Sequence, residues 1–132
     1  MDKTTSTLAS YVAGLTYEQL TPGAIGALKN RLIDSIACAI GGYSSEPASI
    51  ARRLAAESSG KVAARVFGSG GATSMEMAAF ANAVMVRYLD CNDTYLSKGS
   101  GHPSDMIPAC LAVTARCKDG TVMAVRHRKD LS

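Results

Sequence analysis

The sequence predicts an all-α, bundle-like fold, and three observations support this prediction. Apolar residues make up 47% of the 132 residues, whereas aromatic residues make up 5% and tryptophan is absent. Apolar side chains recur every three or four residues in several segments. Proline, glycine and serine stand at the ends of these segments, where helices start and stop. A core of alanine and aliphatic side chains suits closely packed helices, with at most one short extended segment.

Apolar spacing and a capping signal predict the first two helices. A short first helix is indicated by Leu8, Tyr11, Val12 and Leu15. Thr21 followed by Pro22 is typical of a helix N-cap followed by proline at the first helical position. The second helix should end at Gly41–Gly42. Small residues on both flanks of its apolar stripe would let neighbouring helices approach closely. The stripe comprises Ile25, Leu28, Leu32, Ile33, Ile36 and Ile40, and the flanking residues are Ala24, Ala27, Ala37 and Ala39.

A third helix is predicted to open at 45–47, Ser-Glu-Pro, and to close by Gly60. We expect Ile50 and Leu54 on this helix to face inward. Residues 62–67 are partly β-branched and predict the single extended segment. The glycines of 68–71 lack the spacing of a phosphate-binding loop, so this stretch is interpreted as a turn.

Two further helices are predicted after this turn. Ser74 is a suitable N-cap for the fourth helix, whose stripe comprises Met77, Ala81, Val84 and Tyr88. The fifth should start near Ser104, with Pro108 in its early turns, where a missing N–H costs little. We expect Ile107 and Leu111 to face the core.

The net charge of +3 comes wholly from the end of the sequence. From Arg116 onward there are five basic and two acidic residues, whereas the preceding 115 residues carry nine of each sign. Because the body is neutral, we predict no nucleic-acid partner.

The four cysteines, Cys38, Cys91, Cys110 and Cys117, form no C-x-x-C pair. This spacing disfavours a zinc knuckle or a thioredoxin-type motif and predicts reduced thiols in a cytoplasmic protein. The first residues lack the pattern of a secretory signal. No apolar run approaches the ~18 residues that a bilayer crossing needs, so no membrane partner is predicted.

The densest group of polar side chains lies in residues 87–105, here called the polar loop, between the fourth and fifth helices. Acid–base catalysis needs groups that exchange protons near neutral pH, and His102 is the obvious candidate. The other polar side chains of interest are Asp90, Asp93, Thr94, Tyr95, Lys98 and Asp105.

Two motifs in the polar loop resemble those of the MmgE/PrpD family, which includes 2-methylcitrate dehydratase and cis-aconitate decarboxylase. They are Leu-Asp-Cys-Asn-Asp-Thr at 89–94 and Gly-His-Pro-Ser-Asp at 101–105. Residues 8–12 and 32–39 resemble the opening helices of the family, and 78–90 resembles the helix that leads into its active site. The resemblance implies the first part of a large helical domain, in a homodimer that uses no metal or iron–sulfur cofactor.

The resemblance divides the chain in two. Residues 1–115 are interpreted as an MmgE/PrpD-like N-terminal helical region, and residues 116–132 as a divergent basic tail. A frameshift, a premature stop, a cloned fragment or a natural short paralogue would each give such a sequence.

The resemblance also assigns roles within the polar loop. His102 and Asp90 match catalytic positions, and Asp90 is expected to fix the tautomer of the imidazole. Asp93 and Thr94 match the same motif and, with Lys98, are candidate substrate-binding residues. The alternatives are a helix-capping histidine, local turn bonds for either aspartate, and a solvated lysine. Ser104 and Asp105 are expected to serve the following helix terminus, Ser104 as its N-cap.

The function predicted is a lyase of the 2-methylcitrate dehydratase type, which dehydrates a hydroxy-tricarboxylic acid of propionate metabolism by acid–base elimination. The partner is then a small polycarboxylate, and this chain alone should be inactive because the loop offers few cations. The alternative is a non-catalytic truncated product or a helical module that forms homodimers or aggregates through exposed helix faces. A further alternative is a small metal-binding module that uses Asp90, Asp93, His102 and Asp105.

Overall fold

The computed structural model describes residues 2–60 and 63–114. About 65% of the structure is helical, which confirms the all-α prediction. The α-helices of the described part are α1 (Lys3–Gly14), α2 (Pro22–Gly42), α3 (Glu46–Ala56), α4 (Met75–Arg87) and α5 (Ile107–Thr114). Short 3-10 helices occupy Tyr17–Gln19 and Pro103–Met106.

Two short hairpins interrupt the helices within the described residues. The strands β1 (Ala64–Arg65) and β2 (Ala72–Thr73) pair antiparallel, as do β3 (Tyr95–Leu96) and β4 (Ser100–Gly101). The prediction of at most one extended segment is therefore wrong. Each strand has only two residues, too few for the alternation of side chains that indicates a strand in a sequence.

Side-chain caps start the helices where the sequence predicts. The hydroxyl oxygens of Thr21, Ser45 and Ser74 accept hydrogen bonds from the main-chain N–H three residues further on. Each bond satisfies one of the N–H groups that a helix start leaves unpaired. The fifth helix differs from the prediction, because His102 stands at the cap position of the 3-10 helix that precedes α5.

Small side chains build the main core, between α2, α3 and α4. Its buried members are Ala39, Ala48, Ala51, Ala55, Val66, Ala81, Met85 and Val86. At Gly42 of α2, an added Cβ would overlap the main-chain carbonyl oxygen of Met85 on α4. The two helices therefore approach closely because glycine and alanine occupy the contact.

Several larger aliphatic side chains of α2 and α3 are exposed, so the predicted inward orientation of Ile50 and Leu54 is wrong. On α2, Ile33 is 67% exposed and Ile40 is 71% exposed. On α3, Ile50 and Leu54 are also exposed. Because α2 carries alanine on one face and isoleucine on another, only one of these faces can contact a close neighbour. In this structure the alanine face contacts α4.

The first helix adds little to the core. None of its residues is buried, and Leu8, Tyr11 and Val12 are each more than half exposed. Within residues 2–60 and 63–114, no helix combines the length and the apolar character that crossing a bilayer requires.

Candidate active site

The polar loop begins at the end of α4 and is tied together by Arg87, the last residue of that helix. Its Nη1 atom lies 2.8 Å from Oδ1 of Asn92 and 2.9 Å from Oδ1 of Asp90. Its Nε atom lies 3.6 Å from Oδ1 of Asp105. The fork of donors on arginine can hold several acceptors at once, and here it joins the beginning of the loop to its end.

A left-handed backbone conformation turns the chain at Asp90, whose φ is 52°. Aspartate adopts this conformation more readily than most residues because its short side chain bonds locally. The carboxylate of Asp90 is 73% exposed and pairs with Arg87. The loop therefore presents this predicted catalytic carboxylate to solvent.

Asn92 makes hydrogen bonds in the interior of the loop, although the sequence analysis assigned it no role. The residue is 5% exposed. Its Nδ2 atom donates to Oγ of Ser104 at 2.8 Å and to Oδ1 of Asp105 at 3.3 Å. A buried polar group needs such partners. The only sequence signal was its place inside the first motif.

Asp93 is the most enclosed carboxylate of the loop, with a side chain only 4% exposed. Its Oδ1 atom accepts the main-chain N–H of Ser104 at 3.0 Å. Its Oδ2 atom lies 2.6 Å from Nη1 of Arg31 on α2, in an ion pair that lacks the directional geometry of a hydrogen bond. Both carboxylate oxygens are therefore engaged within the protein.

The partners of Asp93 keep it ionised. Burial acts to raise the pKa of Asp93, but the hydrogen bonds from Ser104 and the charges of Arg31 and His102 outweigh burial. The pKa therefore lies below the ordinary value for aspartate.

His102 is half-buried and is held by the main chain of Asp93. Its Nδ1 atom lies 2.7 Å from the Asp93 carbonyl oxygen. Because a carbonyl oxygen can only accept, Nδ1 must carry the proton. The neutral ring then has a lone pair on Nε2, which makes Nε2 the atom that can act as a base.

The contacts of His102 differ from the expected ones. Asp90 was expected to fix the imidazole tautomer, but the carbonyl group of Asp93 makes that contact. Ser104 was expected to cap the fifth helix, whereas its N–H binds Asp93 and its hydroxyl accepts from Asn92. These contacts connect the two motifs directly.

Thr94 and Lys98 lie at the exposed side of the loop, around the β3–β4 hairpin. Their roles in substrate binding stay predictions, as do the catalytic roles of Asp90 and His102. No group of three or more His, Cys, Asp or Glu side chains in the described part is placed to hold a metal ion. This arrangement gives no support to the metal-binding alternative.

Three of the four cysteines lie in the described part of the chain. Cys38 on α2 is buried, and Cys91 and Cys110 are exposed; all three are free thiols. Burial, followed by the charges of Asp34 and Cys91, raises the pKa of Cys38. A raised pKa lowers the thiolate fraction and so the reactivity. Cys117 lies outside the described residues.

Comparison with known proteins gives one family. A family model described as the MmgE/PrpD N-terminal domain matches residues 6–130. The match runs past the predicted boundary at 115, which stays a prediction because residues 115–132 lie outside the described part. No solved structure matches the chain significantly.

Proposed function

We propose, from the fact that this chain belongs to the MmgE/PrpD family, that it supplies the acid–base part of a hydro-lyase site. The substrate we propose is a hydroxy-tricarboxylic acid of the 2-methylcitrate type. Hydro-lyases occur in this family. The observation that carries the proposal is the contact from His102 Nδ1 to the Asp93 carbonyl oxygen, because it leaves Nε2 as the base.

The proposed chemistry is a β-elimination. Nε2 of His102 removes the proton α to a carboxylate, and the C–H electron pair forms the C=C bond. The C–O bond to the hydroxyl group breaks, and the hydroxyl takes a proton that originates from water and leaves as water. The imidazolium that forms is stabilised by the ionised side chain of Asp93. We propose that Asp90 relays this proton from water, because its carboxylate is exposed at the loop surface.

Binding of the substrate is limited by the supply of cations. Arg87 pairs with Asp90 and Asp105, and Arg31 pairs with Asp93. Lys98 is exposed in the loop and we propose that it contacts a substrate carboxylate, with Thr94 contacting a hydroxyl group. Three carboxylates need more positive charge than Lys98 supplies, so we expect weak binding and at most very slow turnover by this chain alone, in line with its predicted inactivity.

Dehydration of 2-methylcitrate gives a conjugated enoate that absorbs in the near ultraviolet, which provides the test. We expect a slow rise in absorbance with the wild-type chain and none with His102→Gln. The matched control is His127→Gln, which alters the other histidine of the sequence and should retain the wild-type rate. Measurable and equal rates for wild type and His102→Gln would reject the proposal. So would the absence of any His102 NMR shift when the acid is added.

A second function, self-association, is favoured by the exposed aliphatic side chains of α2. Leu28, Ile33, Ile36 and Ile40 are all exposed, although isoleucine and leucine are usually buried. We propose that a second copy of the chain covers this surface. Sedimentation velocity should detect a concentration-dependent dimer that Ile33→Gln with Ile40→Gln weakens. Lys29→Gln, an exposed change on the same helix, is the control, and a monomer at all concentrations would reject this function.

A further inference from the structure

We infer that Arg31 of α2 is a positioning residue that sets the tautomer and orientation of His102 through Asp93. The inference rests on the proposed function only for its consequence in catalysis, because the contacts themselves are structural. Arg31 lies outside both motifs of the polar loop, on a different helix.

The first step is the compensation of the negative charge of Asp93 by a neighbouring positive charge. Its carboxylate is 4% exposed, and the Arg31 guanidinium lies 2.6 Å from its Oδ2 atom. An ionised group withdrawn from water is costly unless a charge or hydrogen bonds compensate it. Together with the hydrogen bonds from Ser104, Arg31 therefore allows Asp93 to stay ionised and enclosed.

The second step runs from the side chain of Asp93 to its main chain. Oδ1 accepts the Ser104 N–H, while the carbonyl oxygen of the same residue contacts His102 Nδ1. Asp93 thus contacts the second motif at two points. The orientation of its carbonyl group depends on where its side chain is anchored. Without Arg31, the carboxylate would turn toward water or take up a proton, and either change weakens this anchorage.

Arg31 can be replaced without opening a void in the core. Its side chain is 45% exposed. It lines a surface cavity of about 310 Å³ together with Ala27, Asn30 and Asp34. A substitution at this position should therefore act mainly through the ion pair with Asp93.

Nitrogen-15 NMR of the imidazole tests the inference, since the two neutral tautomers have distinct Nδ1 and Nε2 shifts. The full chain carries His127→Gln so that His102 alone reports, and spectra are taken at alkaline pH where the ring is neutral. We expect mainly the Nδ1–H tautomer with Arg31 present, and mainly the Nε2–H tautomer in Arg31→Met. Arg31→Lys should retain most of the Nδ1–H form because the positive charge is kept.

Two further variants make the result decisive. Arg53→Met removes an exposed arginine from α3 and should leave the tautomer unchanged. Asp93→Asn removes the same ion pair from the other side and leaves the Arg31 cation, which is 45% exposed, in contact with water. This variant therefore carries the test if Arg31→Met does not fold. A folded Arg31→Met or Asp93→Asn protein that keeps the Nδ1–H tautomer would overturn the inference. A tautomer change in a chain without dehydratase activity would support the inference and reject only the proposed function.

Discussion

At the scale of single residues, Asp93 connects the polar loop both to α2 and to His102. Its carboxylate joins α2 to the second motif through Arg31 and Ser104, and its carbonyl oxygen holds His102. The sequence indicated Asp93 as a candidate substrate-binding residue, and that role stays a prediction beside these structural contacts. Only the fold could identify Arg31, because no spacing rule connects a helix arginine to a distant loop.

Asp93 should make the stability of the protein sensitive to acid. Burial raises its pKa, but the Ser104 hydrogen bonds and the charges of Arg31 and His102 give a net lowering. A carboxyl group with a lowered folded-state pKa stabilises the fold above its unfolded pKa of about 3.9 and loses this effect as pH falls through the folded value. In urea titrations, Asp93→Asn should be less stable than wild type at neutral pH, and the difference should shrink in acid. A difference that is constant with pH would contradict this.

The left-handed backbone at Asp90 gives a second expectation. With φ at 52°, a β-branched replacement should be strained, whereas glycine and asparagine should fit. We expect Asp90→Val to lower the free energy of unfolding by about 1–2 kcal/mol and Asp90→Gly to change it much less. Urea denaturation of both variants measures the difference. Equal losses would mean that the lost carboxylate, not the backbone, determines the effect.

At the scale of elements, α2 has two apolar faces, one buried against α4 and one exposed. Its small residues, among them Ala39 and Gly42, contact α4, while its large aliphatic residues remain exposed. The Thr21–Pro22 capping signal and the Gly41–Gly42 pair correctly predicted the start of this helix and its end at Gly42. Periodicity could not predict which face is buried, because both faces are apolar.

Two glycines of α2 provide a matched pair of substitutions. An added Cβ at Gly26 would have nothing within 4 Å, whereas at Gly42 it would overlap the carbonyl oxygen of Met85. Gly26→Ala should raise the free energy of unfolding by roughly 0.5–1 kcal/mol through helix propensity. Gly42→Ala should lower it by about 1–3 kcal/mol through overpacking. Thermal and urea denaturation check the signs, and a stabilising Gly42→Ala would show that α2 and α4 can separate without cost.

At the scale of the whole molecule, the core is concentrated in α2, α3 and α4, and α1 contributes no buried residue. The apolar side chains of α1 and of the outer face of α2 together leave much hydrophobic surface in water. Contiguous exposed apolar surface is typical of an interaction site. This feature supports self-association as the second candidate function.

Removal of α1 should therefore have little effect on the rest of the fold. A chain lacking residues 1–15 should unfold at nearly the same urea concentration as the full chain, because few buried contacts are lost. The reference is Met85→Ala, which removes a fully buried side chain and should cost about 2–5 kcal/mol. A comparable loss on removing α1 would mean that this helix packs against the body.

The sequence by itself determined the helical class, the caps at Thr21, Ser45 and Ser74, and the two motifs of the polar loop, because these depend on local spacing and chemistry. The tertiary structure alone decided that alanine faces form the core, that two hairpins exist, and that Arg31 pairs with Asp93. These features arise from contacts between segments distant in sequence. Local pattern carries no information about which of two apolar faces meets a neighbour, or which cation meets a buried carboxylate.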